Sequence, residues 1–519
     1  MSRAAIELPL SVDRGAGVPL AGQIAGQLRS GIAEGRVGAG ERLPASRVLA
    51  ASLGVSRTVV TAAYGQLYAE GWLEGRHGSG TFVAAGAPGQ VGALGQGRAP
   101  GQGRAPGQGG VPGQGRAPGQ GGRPRTAGPA SAGSAAGPAA EPGPPRHNDP
   151  AGPVIELRPG IPWAAGIDRV AWRRAWRQAG SSPPSAWPDS RGLPALRDAL
   201  AVHLRRSRAL YCEPGQILVT RGVTSGLGLL AAALLRPGDR VGVEEPGYPV
   251  ARAVFAAHGA QVVPCRADEH GLVTGDLPGS LRMVYSTPAH QYPLGGRLPV
   301  PRRQSLIAWA RATGALIVED DYDSEFRYDV APLPALFGLD PEVVVHLGTT
   351  AKTLTPALGV GWLVAGGGLA GRIAAARPDI GDRTCEAAQL ALLSFISNGD
   401  LDRHVRRMRR EYARRRAQIV AALGDLPGQA RLLGDTAGLH VVLALPAGTA
   451  GQIAASAGRR GVAVTTMERY FAGPPAADGL LLGYGGASLS QVSRACQVLR
   501  QIVTALSASA QAGGVSPPG

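Results

Sequence analysis

Residues Gly95 to Pro124 read GQGRAP GQGRAP GQGGVP GQGRAP GQGGRP, five hexapeptides in register. Glycine occupies the first and third places of each repeat rather than every third residue, which excludes a collagen helix. With almost no apolar side chain, such a tract cannot bury enough surface to offset the entropy of ordering it. The Gly/Pro/Ala bias spreads over residues 85–152, so that stretch is expected to be a flexible linker with scattered arginines. A chain of 519 residues cut in this way must fold as at least two units. They are expected at residues 12–84 and 153–507, with a disordered tail at 508–519.

The formal net charge is +16, which suits an anionic partner such as nucleic acid as well as it suits an Arg-rich soluble protein. Cys212, Cys265, Cys385 and Cys496 show no CxxC or His-paired spacing. That argues against a disulfide scaffold or a structural metal site and for a reducing, cytoplasmic setting. The opening MSRAAIELPLSVD has no apolar signal core, and no stretch reaches the roughly 18 apolar residues that a membrane helix needs. Among 53 basic residues only one, Lys352, is lysine. A chain that uses arginine wherever positive charge suffices keeps its one lysine for chemistry that a guanidinium cannot perform, such as forming an imine.

In the first unit Ile24, Leu28 and Ile32 recur every four residues, a helix stripe ending near Gly35. Ser46 is placed to cap a second helix with Leu49 and Leu53 inward, and after Gly54 the segment from Ser56 forms a third, with Val59, Ala63 and Leu67 inward. Two short strands, WLEG and GTFV, then flank RHGS. Three helices and a hairpin make a winged helix-turn-helix, whose third helix can enter a major groove. Arg57 and Thr58 begin that helix, Thr61 lies one turn on, Arg47 opens the second helix, and Arg76, His77 and Gly78 form the hairpin tip. Each arginine alone is an ordinary surface charge; their joint placement fits a duplex. The stretch RLPASRVLAASLGVSRTVVTAAYGQLYAEGWLEGRHGSGTFV resembles the DNA-binding domain of the GntR family of bacterial regulators. The resemblance implies operator contacts from Arg47, Arg57, Thr58 and the His77–Gly78 wing. Thr61 stands where some members carry arginine, so no base preference carries over.

The second unit alternates apolar runs (ILVT, RVGVEE, MVYST, ALIVED, VVVHLG, WLVAG) with helical segments, the pattern of an α/β fold with a mostly parallel sheet. Sites in such sheets lie at the C-terminal ends of strands. At those ends stand Thr220–Ser225, a strand–glycine–helix turn suited to a phosphate, Asp320 with Tyr322, and Lys352 shortly after Thr349. A lysine, an acid, a phenol and a phosphate cradle match the needs of pyridoxal 5′-phosphate (PLP). The amine forms a Schiff base, the acid keeps the pyridine nitrogen protonated, the phenol bonds the 3-oxygen, and an aromatic such as Tyr248 can stack on the ring. Core packing or capping would explain any one of these residues taken singly.

The blocks ILVTRGVTSGLGLLAAALLRPGDRVGVEEPGYP, TPAHQYPLG, ALIVEDDYDSEFRYD and LGTTAKTLTPALGVGW resemble the fold-type I aminotransferases, and the whole chain resembles the MocR branch of the GntR regulators. The resemblance implies an N-terminal winged helix-turn-helix joined to an α/β, fold-type I PLP-dependent transferase-like domain. It makes Lys352 the catalytic-type Schiff-base (aldimine) lysine, Asp320 the pyridine-nitrogen partner, Tyr322 the 3-oxygen partner and Tyr248 the stacking ring, with Val223, Thr224 and Thr349 at the phosphate. Two departures stand out. Gly359 replaces an arginine that usually binds the phosphate, a change of about 1.5–3 kcal/mol or one to two decades in affinity. Trp187 replaces a tyrosine that usually reaches the partner subunit's phosphate.

The expectation is a homodimeric transcriptional regulator that binds operator DNA and senses PLP or a small amine through Lys352. The alternatives are a working aminotransferase that carries a DNA-binding module, with Arg252 or Arg469 taking a substrate carboxylate, and a scaffold that no longer binds cofactor. The run Arg403–Ala417 holds eight arginines, with Arg406, Arg410 and Arg414 on one face; it is expected to be a solvated helix anchored by Val405, Met408 and Tyr412.

Overall fold

A computed structural model describes residues 10–33, 36–76, 80–84, 154–183, 185–328 and 334–513. The expected linker at 85–152 and the wing residues His77 and Gly78 lie outside them.

Helices Leu20–Ala33, Ser46–Ser52 and Arg57–Glu70 precede an antiparallel hairpin of Leu73–Arg76 and Gly80–Val83. Ile24, Leu28, Ile32, Leu49, Val60, Ala63 and Leu67 close one core with Trp72 and Val83. Gly71, at φ 81°, ends the third helix by donating its N–H to the Leu67 and Tyr68 carbonyls, a left-handed cap that favours glycine. The expected Ser46 cap is not there. Ser46 is the first helical residue behind Ala45, so its Oγ is one residue too far along to cap the helix and accepts from Arg57 Nε at 3.4 Å.

In the second unit the strands Ile217–Thr220, Gly361–Val364, Val344–Thr349, Leu316–Asp321, Met283–Ser286, Arg240–Glu245, Gln261–Asp268 and Gly271–Leu272 lie side by side in that order. Gly361–Val364 runs antiparallel to both neighbours, and the central five are parallel. Val, Ile and Leu bury both faces of the sheet, while a Glu319–His346 pair at 3.1 Å is buried inside it and most of the candidate polar residues stand at strand ends. A second, antiparallel sheet of Arg431–Leu433, His440–Leu445, Asp478–Gly483 and Thr465–Thr466 follows. The closing segment, expected to lack structure from residue 508, is helical as far as Gly513, as a continuation of the amphipathic helix from Leu489.

Helix Val300–Thr313 touches both units. Val300 packs against the winged-helix core, and a Cβ on Gly71 would lie 3.6 Å from Pro299 Cβ. One turn on, the buried Arg303 guanidinium donates to the carbonyls of Leu298 (2.8 Å), Pro334 (2.9 Å) and Pro288 (3.1 Å). A pocket of about 80 Å³ between Arg29, Glu70, Trp72, Val300 and Arg303 marks the seam.

In helix Asp400–Leu423 Val405, Met408 and Tyr412 are buried, while Arg406, Arg410 and Arg414 are exposed. Two arginines of the run turn inward. Arg409 bonds the Glu325 carbonyl, and Arg415 bonds Tyr484 and Gly485 while lying 4.4 Å over the Trp163 ring. Among the described residues no helix is long and apolar enough to cross a membrane.

Candidate functional site

Four strand ends and one loop converge on a pocket. After Thr220 the chain turns at Gly222 (φ 100°), and the helix Val223–Leu234 begins with no side-chain cap, leaving its first N–H groups for an anion. The positive φ of Gly222 is what favours glycine there, and the close approach requires glycine at 361 as well, since a Cβ on Gly361 would meet Gly222 Cα at 2.7 Å. Thr349 is buried at the end of its strand; Thr224 is exposed, and Val223 turns its side chain to the core.

Asp320 is buried at the end of Leu316–Asp321. Its Oδ2 accepts from Tyr285 Oη at 2.6 Å, and its Oδ1 has no partner. Burial, opposed by the Tyr285 hydrogen bond and the nearby Lys352 charge, raises its pKa to about 7. Lys352 Nζ donates to the Gly160 carbonyl at 2.8 Å, and the lysine charge also bears on His440. The Tyr322 hydroxyl lies 3.0 Å from His290 Nδ1, and burial with the neighbouring Asp323 raises its pKa well above the ordinary phenol value. Tyr248 stands just before the helix Pro249–Ala257, its ring edge-on to Tyr292 at 6.0 Å. Tyr292 in turn meets Tyr322 at 5.7 Å and Tyr470 at 5.3 Å, so it is the centre of an aromatic wall.

Sequence reasoning did not single out Tyr285, His290, Tyr292, Asp323, His440 or Gly160. His290 and Tyr292 lie inside TPAHQYPLG, so the block was visible, but nothing local assigns its members to this pocket. Arg252 has another task than the one considered for it. Its guanidinium bonds the carbonyls of Tyr470 (2.9 Å) and Arg469 (3.3 Å), with Gly247 and Glu245 at 3.4 Å, which leaves it clamping two loops rather than waiting for a substrate carboxylate.

In the winged helix Arg47, Arg57, Thr58 and Thr61 are all exposed. Tyr64 Oη bonds the Pro44 carbonyl at 2.7 Å and Tyr68 Oη bonds Thr81 Oγ1 at 2.8 Å, fixing the third helix against the second and against the hairpin. Arg76 ends the first hairpin strand.

Residues 20–83 match the family described as "Bacterial regulatory proteins, gntR family", and residues 167–474 match "Aminotransferase class I and II". The chain is 36% identical to the HTH-type pyridoxine biosynthesis transcriptional regulator PdxR of Corynebacterium glutamicum, over 92% of this chain and 95% of that one. It is 34% identical to the probable rhizopine catabolism regulatory protein MocR of Rhizobium meliloti, over 96% and 97%. The chain belongs to the MocR-type GntR transcriptional regulators. Among solved structures, an archaeal alanine:glyoxylate aminotransferase superposes with a TM-score of 0.64 at 23% identity, covering 68% of this chain and 91% of that one. LysN, an α-aminoadipate aminotransferase of Thermus thermophilus, gives 0.63 at 24%, covering 69% and 93%. At these identities the likeness is one of fold.

A MocR-type regulator binds DNA through its GntR helix-turn-helix, and its aminotransferase fold implies PLP dependence. The residues here fit that cofactor. The orphaned Asp320 Oδ1 suits a pyridinium N–H, and the open helix start beside Thr349 suits a phosphate. Against the usual pattern of the MocR branch, Gly359 sits at φ 61°, and a Cβ there would meet nothing within 4 Å. Trp187, at the other departure, is 92% exposed.

Proposed function

We propose that this regulator responds to PLP itself, which Lys352 and Asp320 hold and which alters the affinity of the winged helix for operator DNA. The observation that carries the reading is the Asp320 carboxylate, buried beside the only lysine with one oxygen unpartnered. A buried acid of this kind calls for a cationic N–H donor, and the pyridine ring of PLP provides one. When bound, PLP would supply an aldehyde carbon that condenses with an amine. The commitment of Arg252 to backbone carbonyls favours the cofactor over an amino acid as the signal, as does the likeness to the pyridoxine biosynthesis transcriptional regulator of C. glutamicum. Tyr322 would bond the 3-oxygen, Tyr248 would stack, and the Val223 and Thr224 N–H groups with Thr349 would take the phosphate.

A homodimer is part of the same proposal. One winged helix reads only a half-site, and the exposed Trp187 indole suits burial against a second copy. In each half-site Arg47, Arg57, Thr58, Thr61 and Arg76, with the His77–Gly78 wing, would face the duplex.

The test is operator binding by gel shift against PLP, pyridoxal and pyridoxamine phosphate. PLP alone should change affinity, because pyridoxal lacks the phosphate and pyridoxamine phosphate lacks the aldehyde. Equal operator affinity with and without saturating PLP would defeat the proposal.

Two further outcomes are expected. Arg57→Ala should weaken operator binding by about one to two decades if it contacts a base, or lower the salt slope by about one if it contacts phosphate. Fluorescence anisotropy across a salt series reads both. Gly359→Arg should tighten PLP by about one to two decades, while the left-handed backbone costs about 1–2 kcal/mol of folding stability. Cofactor titration and urea unfolding would separate these effects, and an unchanged dissociation constant would show that no guanidinium is wanted at that place.

A further inference from the structure

The loop residues 287–291 and the start of the second sheet meet behind Tyr322, where three buried groups form a cluster. His290 Nδ1 lies 3.1 Å from both carboxylate oxygens of Asp323 and 3.0 Å from Tyr322 Oη. His440 packs against His290 with ring centroids 5.1 Å apart. Asp323, His290 and His440 are all 2% exposed or less.

We propose that Asp323 and His290 form a fixed pair that turns the Tyr322 hydroxyl hydrogen outward, toward the 3-oxygen of PLP, making His290 a positioning residue of this pocket. The inference rests on the reading of the pocket as a PLP site.

The argument is a count of hydrogens. An imidazole nitrogen offers either one N–H or one lone pair, and a carboxylate only accepts. With two carboxylate oxygens at 3.1 Å, Nδ1 must carry the hydrogen and donate it to Asp323. The same Nδ1 then cannot accept from Tyr322, so the phenolic oxygen receives at most a share of that N–H and its own hydrogen must point elsewhere. The opposite tautomer sets a lone pair against a carboxylate and leaves an N–H at Nε2, an atom that is buried without a partner. A buried orphan N–H is the costlier choice.

His440 does not compete for these groups. Its Nε2 lies 2.9 Å from the Pro293 carbonyl, which can only accept, so that nitrogen carries the hydrogen. Burial lowers the His440 pKa to about 4, which keeps the ring neutral beside the pair. Gly438 (φ 71°) completes the arrangement, since a Cβ there would stand 2.0 Å from His290 Cε1 and 2.7 Å from Asp323 Oδ2. One ligand atom from each of His290, Asp323 and His440 lies within 4.8 Å of the others, close enough for a cation. A cation bound through Nδ1 would have to displace the hydrogen between His290 and Asp323.

A phenol that donates to the 3-oxygen favours its ionised form, so the pH at which the visible band of the lysine-bound cofactor changes reports the Tyr322 hydrogen. The experiment titrates that band in full-length wild type, His290→Ala, His290→Asn and Asp323→Asn, with PLP-free operator binding and circular dichroism as checks of fold. The midpoint should rise by about one pH unit in His290→Ala and Asp323→Asn, the effect of losing one hydrogen bond to a charged form. It should return to the wild-type value in His290→Asn, whose Nδ2–H can replace Nδ1–H. A wild type without a visible band at saturating PLP sinks the cofactor reading and this inference with it. A band that titrates alike in wild type, His290→Ala and Asp323→Asn overturns the inference alone, as does stoichiometric zinc in the purified protein.

Discussion

Replacing Lys352 with alanine is expected to abolish the visible band that PLP gives with the wild type, and with it any effect of PLP on operator binding. The chain has one lysine and 52 arginines, and a guanidinium stays protonated at every pH of interest. No other side chain can take over the carbonyl chemistry. Borohydride reduction of the wild type with PLP, followed by peptide mapping, should put the label on Lys352. The substitution removes the bond from Nζ to the Gly160 carbonyl, and a hydrogen bond of that kind contributes about 1 kcal/mol, so the fold should survive it. PLP-free operator binding should therefore be unchanged. A variant that still answers to PLP at the operator would remove Lys352 from the sensing step. Turnover of an amine with a 2-oxo acid by the wild type, lost in the variant, would instead make the domain an enzyme.

The second large effect is expected at Asp320, and its sign depends on pH. The carboxyl titrates near 3.8 in the unfolded chain and at about 7 in the fold, so ionisation is disfavoured by folding. Below the unfolded value both states are protonated and Asp320 has no effect. As pH rises from there to about 7 the cofactor-free protein loses stability, by about 4 kcal/mol on the usual scale of 1.36 kcal/mol per unit, and above about 7 the loss is complete. A cationic N–H at Oδ1 relieves it. PLP should therefore raise the melting temperature more at pH 8 than at pH 5.5, and Asp320→Asn should lose both the pH dependence and about two decades of PLP affinity. Glu325 is also raised to about 7, so the difference between wild type and variant is the quantity to measure. Equal PLP stabilisation of the two proteins at pH 8 would refute the assignment of Asp320 to the ring nitrogen.

What could be read from the sequence followed from local chemistry. The hexapeptide tract, the 3.6-residue stripe of Ile24, Leu28 and Ile32, and the polar residues that end apolar strands all announce themselves within a few residues. The single lysine is a whole-chain count and needs no fold. What could not be read depends on contacts across long stretches of chain. Gly160 meets Lys352 over 192 residues, and His440 enters the pocket from the second sheet. Arg252 illustrates the opposite failure. A guanidinium near a pocket motif looks like a ligand-binding group until its donors are found on the Tyr470 and Arg469 carbonyls. Ser46 fails for a smaller reason, a shift of one residue that places it inside the helix it was expected to cap.

The helix that begins at Val300 has one turn in contact with two places. Val300 lies against the winged-helix core, and Arg303 is tied to Pro288, two residues before His290. A free energy that passes through such an element has the same size from either end. If PLP strengthens operator binding tenfold through that turn, operator DNA must strengthen PLP binding tenfold, and Arg303→Ala should shrink both factors together. Cofactor affinity would then depend on whether the regulator sits on its operator, so that promoter occupancy adjusts the PLP concentration at which the protein responds.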